Sequence, residues 1–253
     1  MDRLDAQAIA VPGVEVRVLE RCTSTNALLL AEAPARPVLL AAEAQSAGRG
    51  RRGRRWYSSP GNAATFSLCR TVRRPLRELP AVSLVAGVAV VRALRSLGAR
   101  QVALKWPNDL VVGEAKLGGI LVESRSRDGA ALVVIGVGIN CRRDATLELR
   151  LRRPITALER LVAAPPRNAL MARLGASLME CLDLFEACGL ESLRREWERL
   201  DAHAGRRVRV RLADGRMISG MARGLAEDGS LRLATAAGLR AVSSGRVVSS
   251  RSA

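Results

Sequence analysis

The chain has 253 residues, of which 48% are hydrophobic and only 2% aromatic, so any core it buries is built mainly of Leu, Val, Ala and Ile. It carries a formal charge of +17, yet only Lys105 and Lys116 among its 41 basic residues are lysines, so a general preference for arginine accounts for much of that charge and the charge alone names no anionic partner. Five cysteines without a CxxC pair and a single histidine, His203, argue against a zinc site, a disulfide framework and a Ser-His or Cys-His mechanism, and no run of about 18 apolar residues marks a membrane span.

The N-terminus, Met1-Asp2-Arg3-Leu4-Asp5, lacks the basic start and apolar stretch of a secretory signal, which predicts a cytoplasmic protein. Val14, Val16 and Val18 alternate and predict a strand over 14–19. Cys22-Thr23-Ser24-Thr25-Asn26 supplies capping residues for a short helix over 27–32, which Ala33-Pro34-Ala35-Arg36-Pro37 ends. A buried strand follows over 38–43, then a loop rich in Gly, Arg and Ser over 46–62, then a strand over 65–72. Residues 80–97 form an apolar helix that starts at Pro80 and stops at Gly98. Strands are expected over 101–106, 119–126 and 131–140, the last two joined through Arg127-Asp128-Gly129-Ala130 as a hairpin. Amphipathic helices cover 167–188 and 190–200. Beyond residue 205, turn signals at Asp214-Gly215, Gly220, Gly224, Asp228-Gly229, Gly238 and Gly245 predict a small all-β barrel. With roughly 50 residues, such a barrel needs to dock on the larger unit.

Four segments carry residues suited to chemistry. Gly48-Arg49-Gly50-Arg51-Arg52-Gly53-Arg54-Arg55-Trp56 matches G-x-G-x-x-G but runs into Tyr57-Ser58-Ser59-Pro60-Gly61, which cannot continue a helix, so it is no dinucleotide fingerprint. Its arginines suit phosphates or carboxylates, or else make a solvated basic loop or a nucleic-acid patch. Lys105-Trp106-Pro107-Asn108-Asp109 reads as a rigid turn that presents Asn108 and Asp109 beside a large ring; Asp109 is a candidate for magnesium or a ribose hydroxyl, or simply part of the turn. In Lys116-Leu117-Gly118-Gly119-Ile120-Leu121-Val122-Glu123, a lysine retained in an arginine-rich chain stands before two glycines that let a ligand approach a strand. Alternate glycines in Val134-Ile135-Gly136-Val137-Gly138-Ile139-Asn140 leave a surface bare for a flat apolar ligand or for a packed helix. Trp56, Tyr57, Phe66 and Trp106 lie in or near these motifs, as rings that stack on a ligand would.

Taken in order, Ser24-Thr25-Asn26, Ala44-Gln45-Ser46-Ala47 running into the arginine-glycine loop, and the three later motifs together resemble the signature set of bacterial biotin–protein ligases, over nearly the whole chain from about residue 14. The resemblance implies an α+β fold, a mixed β-sheet packed with helices of the class II aminoacyl-tRNA synthetase-like type, with a catalytic domain over 1–204 and an SH3-like C-terminal β-barrel over 205–253. It implies that biotin and ATP react to biotinyl-5'-AMP, assisted by Mg2+, and that biotin then passes to a lysine of a biotin carboxyl carrier protein. Lys116 and Arg51 are the implied catalytic residues. Ser24, Thr25, Asn26 and Gln45 line the pocket, Gly48, Arg49, Gly50 and Arg51 close over carboxylate and phosphate, and Trp56 orders the adenine side. Gly118, Gly119 and Asn140 complete the binding set, and Asp109 stands on the magnesium or phosphate side. Pro60-Gly61-Asn62-Ala63-Ala64-Thr65 departs from the family by carrying small residues where a bulkier pair is usual, which alters a wall of the pocket. About a dozen residues precede the first strand, too few for the helix-turn-helix repressor domain of many relatives, so neither operator DNA nor a membrane is an expected partner; the chain is expected as a monomer or homodimer. A lipoate–protein ligase shares the fold and the adenylate logic, and 105–109 with the arginine loop favours biotin over it. An arginine-rich nucleic-acid-binding protein is the rival of another class; it predicts steep salt dependence and no need for ATP.

Overall fold

The computed structural model describes residues 2–127, 129–151, 153–163 and 165–251; Asp128 of the expected hairpin lies outside them. The expected α+β architecture forms around a seven-stranded mixed sheet in the order β1-β2-β3-β7-β6-β5-β4. Strand β1 (Glu15–Cys22) pairs parallel with β2 (Val38–Gln45), and helix α1 (Thr25–Glu32) carries the chain between them. The Ser24 hydroxyl caps α1 by accepting from the Ala27 N–H, as the Ser-Thr-Asn run predicts. From β2 onward all pairings are antiparallel, through β3 (Ala63–Val72), β7 (Ala130–Asn140), β6 (Ala115–Arg127), β5 (Asp109–Val112) and β4 (Ala103–Lys105).

The two faces of the sheet differ. On one, Leu39, Phe66, Leu68, Ile135 and Val137 join a large core with α2 (Val82–Ser96), α4 (Arg167–Cys188) and α5 (Glu191–Leu200). Leu76–Ser96, which adds a preceding 3-10 turn to α2, is long and apolar enough to cross a membrane, yet its apolar side chains are spent on this core. On the other face α1 covers a small cluster of Leu29, Val38, Leu40, Cys69, Leu132 and Val134. The strand segments next to that cluster stay clear of helices, and the site lies there.

Two elements depart from the sequence reading. Asp109 does not sit in a turn; it opens strand β5, paired with Lys105 and Gly119. A helix, α3 (Ala145–Leu151), fills a stretch read as featureless, with Asp144 accepting from the Leu147 N–H as its cap.

The C-terminal segment forms a five-stranded antiparallel sheet in the order β11-β10-β9-β8-β12, consistent with the expected SH3-like barrel. Its strands are β8 (Arg207–Arg211), β9 (Met217–Leu225), β10 (Leu231–Thr235), β11 (Gly238–Val242) and β12 (Arg246–Arg251). It docks as expected, with Val208, Leu225, Leu231, Leu233 and Val247 in the same continuous core as α2 and α5. Trp106 is the wedge: its indole N–H donates to the Gly229 carbonyl at 3.3 Å and only 3% of the residue is exposed. The ring thus faces mainly the barrel rather than standing open beside Asn108 and Asp109.

Candidate active site

The floor of the site is a row of residues facing the same way across four strands. Thr65 on β3 pairs with Gly138 on β7, Gly138 with Gly119 on β6, and Gly119 with Asp109 on β5. The next row holds Ser67, Gly136 and Leu121. A Cβ on Gly136 would run into the Asn26 side chain, and one on Gly138 into the Trp56 indole, so both positions need glycine. The bare surface expected for a flat ligand is therefore partly covered by the chain's own Trp56.

Polar side chains of the floor hold one another in a chain. The Gln45 Oε1 accepts from the Thr25 N–H at 2.8 Å and from its hydroxyl at 3.2 Å. Thr25 Oγ1 meets Ser67 Oγ at 2.7 Å, and Ser67 Oγ donates to Asn26 Oδ1 at 2.5 Å. Asn26 Nδ2 donates to Glu123 Oε2 at 2.9 Å, and the same carboxylate oxygen takes Arg49 at 2.8 Å. Within this network the buried Thr65 Oγ1 stays without a partner, as does the Trp56 indole N–H, and both residues line the cavity.

The arginine segment is a small hairpin folded over that floor. Gly50 N–H donates to the Arg54 carbonyl at 2.7 Å and Trp56 N–H to the Gly48 carbonyl at 2.9 Å, with a bridge between Arg49 and Arg55. Arg52, at its tip, takes a left-handed backbone with φ 57°. Arg51 has no ion pair among the described residues, and burial pushes its guanidinium below the ordinary range, helped by the neighbouring charges of Arg52 and Arg54.

Lys116 stands at the edge of the floor with its side chain 17% exposed, its Nζ donating to Asp109 Oδ1. Burial holds its pKa below the usual lysine value, against the opposing pull of the Asp109 carboxylate. Asp109 is the only carboxylate lining the cavity, and no group of three or more His, Cys, Asp or Glu stands together among the described residues. The residues present therefore do not make a protein-built magnesium site, since Asp109 is already engaged by Lys116.

The cavity enclosed by floor and hairpin measures about 970 Å³ including its open mouth. Residues 18–140 match the model of the Biotin/lipoate A/B protein ligase family, and residues 203–249 that of the Biotin protein ligase C terminal domain. The chain is 38% identical over 225 residues to the bifunctional ligase/repressor BirA of Escherichia coli, an alignment covering 87% of this chain and 70% of that one. It is 34% identical over 249 residues to the biotin--[acetyl-CoA-carboxylase] ligase of Mycobacterium tuberculosis, covering 92% of this chain and 88% of its relative. The chain belongs to the biotin protein ligase family. Among solved structures, the biotin protein ligase from Aquifex aeolicus in complex with biotin and ATP superposes with a TM-score of 0.80 at 28% identity, over 94% of this chain and 99% of that one.

In this member of the biotin protein ligase family the structure gathers Ser24, Thr25, Asn26, Gln45, Arg49, Gly50, Arg51, Trp56, Asp109, Lys116 and Gly119 around one cavity. Three expected binding residues stand outside it. Gly48 forms the base of the hairpin, Gly118 turns its open side to Leu110, and Asn140 donates to the Thr156 carbonyl at 3.0 Å. Of the aromatics, only Trp56 covers the floor; the Phe66 side chain lies in the core, and Tyr57 is flanked by the guanidinium groups of Arg55 and Arg150. Sequence reasoning missed Thr65, Ser67 and Glu123, although the alternation along β3 places Thr65 and Ser67 on one face. It also missed Arg153 and Arg246, which line the cavity from distant segments and carry no local signal.

Proposed function

We propose that this cavity joins biotin to ATP as biotinyl-5'-AMP and passes the biotinyl group to a lysine of a biotin carboxyl carrier protein. The observation that carries the reading is the charge around the cavity: nine cationic side chains and one carboxylate line it. That surplus suits a triphosphate and a carboxylate brought together, two anions that repel each other in water.

The floor takes the uncharged part of biotin, with Thr65 Oγ1 and the Trp56 N–H free for its polar groups. Arg51 and Lys116 hold the biotin carboxylate against the α-phosphate. A carboxylate oxygen bonds to the α-phosphorus, the bond to the bridging oxygen breaks, and pyrophosphate departs with the electron pair. The acceptor lysine amine then attacks the acyl carbon, AMP leaves, and the nitrogen sheds a proton as the amide forms. Lys116 is the main catalytic residue in this scheme, because a compact ammonium can follow charge as it moves from carboxylate to phosphate. The hairpin keeps water from the reactive anhydride. Magnesium accompanies ATP on its phosphates. The catalytic domain spans 1–204 and the barrel 205–253, and the reaction belongs in the cytoplasm, where ATP is at hand.

Incubation with ATP, magnesium, biotin and a carrier domain, followed by mass measurement of the carrier, tests the reading. One added biotinyl group is expected. No addition with biotin, together with addition of a lipoyl group when lipoate is supplied, would make the chain a lipoate ligase instead.

A further inference from the structure

The barrel reaches into the cavity. Gly245 and Arg246, at the start of β12, line it beside the arginine hairpin. Gly245 is seated tightly: a Cβ there would press on Val210 and lie 3.4 Å from the Trp106 ring, so the backbone that carries Arg246 is wedged between the barrel and the 105–109 segment. Next to it, Arg52 donates to the Ser244 hydroxyl at 3.3 Å across 192 positions of sequence, which ties the tip of the hairpin to the barrel. Arg246 is thus held by a strand and a packed turn, not by a free tail.

Its charged neighbours are Arg54, Arg211 and Arg52, with Asp109 on the other side. Asp109 is engaged by Lys116. Among the described residues, Arg246, Arg52 and Arg54 form no ion pair with an acid. Two separate parts of the fold therefore bring like charges together at the mouth of a cavity and leave them without a counterion. Such convergence costs energy in the free protein and is repaid only by a polyanion.

We propose that Arg246 binds the β- and γ-phosphates of ATP, closing from the barrel side a cradle that Arg52 and Arg54 form from the hairpin side. The inference rests on the reading of function above and adds a residue to it. In the first step the bond between the α-phosphorus and the bridging oxygen breaks, and its electron pair stays on pyrophosphate. Arg246 faces that growing charge and favours its formation. In the second step the acyl carbon–oxygen bond to AMP breaks with no pyrophosphate present, so Arg246 has nothing to hold.

That asymmetry is the test, made on the full chain. R246A and the control R209A, an exposed β8 arginine outside the cavity, are compared with the parent in three assays. These are pyrophosphate release from biotin and ATP, inhibition by inorganic pyrophosphate, and transfer from ready-made biotinyl-5'-AMP to a carrier domain. Loss of one charge-assisted contact predicts that R246A raises the KM for ATP and the inhibition constant for pyrophosphate by about 10-fold or more. Transfer from the ready-made adenylate stays within about 2-fold, and R209A matches the parent throughout. Unchanged ATP and pyrophosphate constants overturn the proposal. So does a transfer rate that falls as far as pyrophosphate release, which would make Arg246 a carrier-docking or structural residue. If R246A fails to fold, R246K keeps the cation and shows the same selective defect in weaker form; unchanged constants in R246K and in R246Q overturn the proposal equally. A parent protein that releases no pyrophosphate from biotin and ATP would sink the functional reading itself, a different outcome from a normal parent with a normal variant.

Discussion

On the floor of the cavity, from Gln45 to Glu123, each polar side chain is held by the next. On the roof, Arg51 and Arg54 bond to no other side chain among the described residues, and Arg52 reaches only the Ser244 hydroxyl. The floor is finished before any ligand arrives, so its interactions belong to stability as well as to shape. The roof is unfinished, and its interactions are reserved for the ligand. Substitutions in the two regions are therefore expected to fail in different assays.

The largest effect is expected where the two regions meet. Lys116→Arg keeps the charge but replaces a compact ammonium by a longer planar group, which displaces carboxylate and phosphate relative to each other. Adenylate formation is expected to fall on the order of 100-fold, about 3 kcal/mol of barrier, with little change in melting temperature. A near-normal rate would remove Lys116 from the chemistry.

The sharper contrast is between Arg51→Ala and Ser67→Ala. Arg51→Ala removes a buried cation crowded by Arg52 and Arg54, so kcat/KM for adenylate formation is expected to drop about 10- to 100-fold while Tm holds or rises. Ser67→Ala leaves Thr25 and Asn26 short of a partner, at a cost of about 1–2 kcal/mol and a few degrees of Tm. If thermal melts show Arg51→Ala losing as much as Ser67→Ala, roof and floor are not distinct.

Limited proteolysis gives a third measure. Cleavage between residues 46 and 61 is expected to slow severalfold once biotin and ATP are both present, while the floor strands resist in either state. Equal cleavage with and without ligand would count against a roof that the ligand completes.

The smallest effect lies behind the site, where Asp201 and His203 are buried with Asp201 Oδ2 and His203 Nδ1 unpartnered. Burial raises Asp201 to about 6, so folding favours its protonated form; that contribution is full below pH 3.8 and is lost as pH rises through 6. Burial lowers His203 to about 4, so folding favours its neutral form; that contribution is full above pH 6.5 and is lost as pH falls through 4. Between pH 4 and 6 the two trends oppose each other. Asp201→Asn keeps the acceptor for the His203 N–H and removes one trend. It is expected to stabilise the protein at pH 7.5 by at most about 2 kcal/mol and to make Tm climb between pH 4 and 6.5, which melts across that range will read.

Much of this was legible because the features were local. Ser24 caps a helix within three residues, the period of two along β7 separates Gly136 and Gly138 from the core residues between them, and two lysines stand out in an arginine-rich chain. What stayed hidden depends on long-range register. Asp109 read as a turn residue because a four-residue strand has too little pattern to see, and only its pairing with Gly119 brings it to Lys116. Trp106 read as a ligand-facing ring because nothing near it in sequence announces Gly229. Arg246 was one arginine among many until β12 brought it beside the hairpin.

The Trp106 wedge makes residues 201–206 a place where the chain can be cut without becoming two independent proteins. Each half, made alone, would show water the apolar surface it now presents to the other; made together, the halves have a shared core to draw them into register. Since the barrel also supplies a cation to the cavity, neither half contains a whole site. Fused to two other proteins, such fragments would act only where those proteins meet, and the biotin they leave would be a lasting record of the encounter.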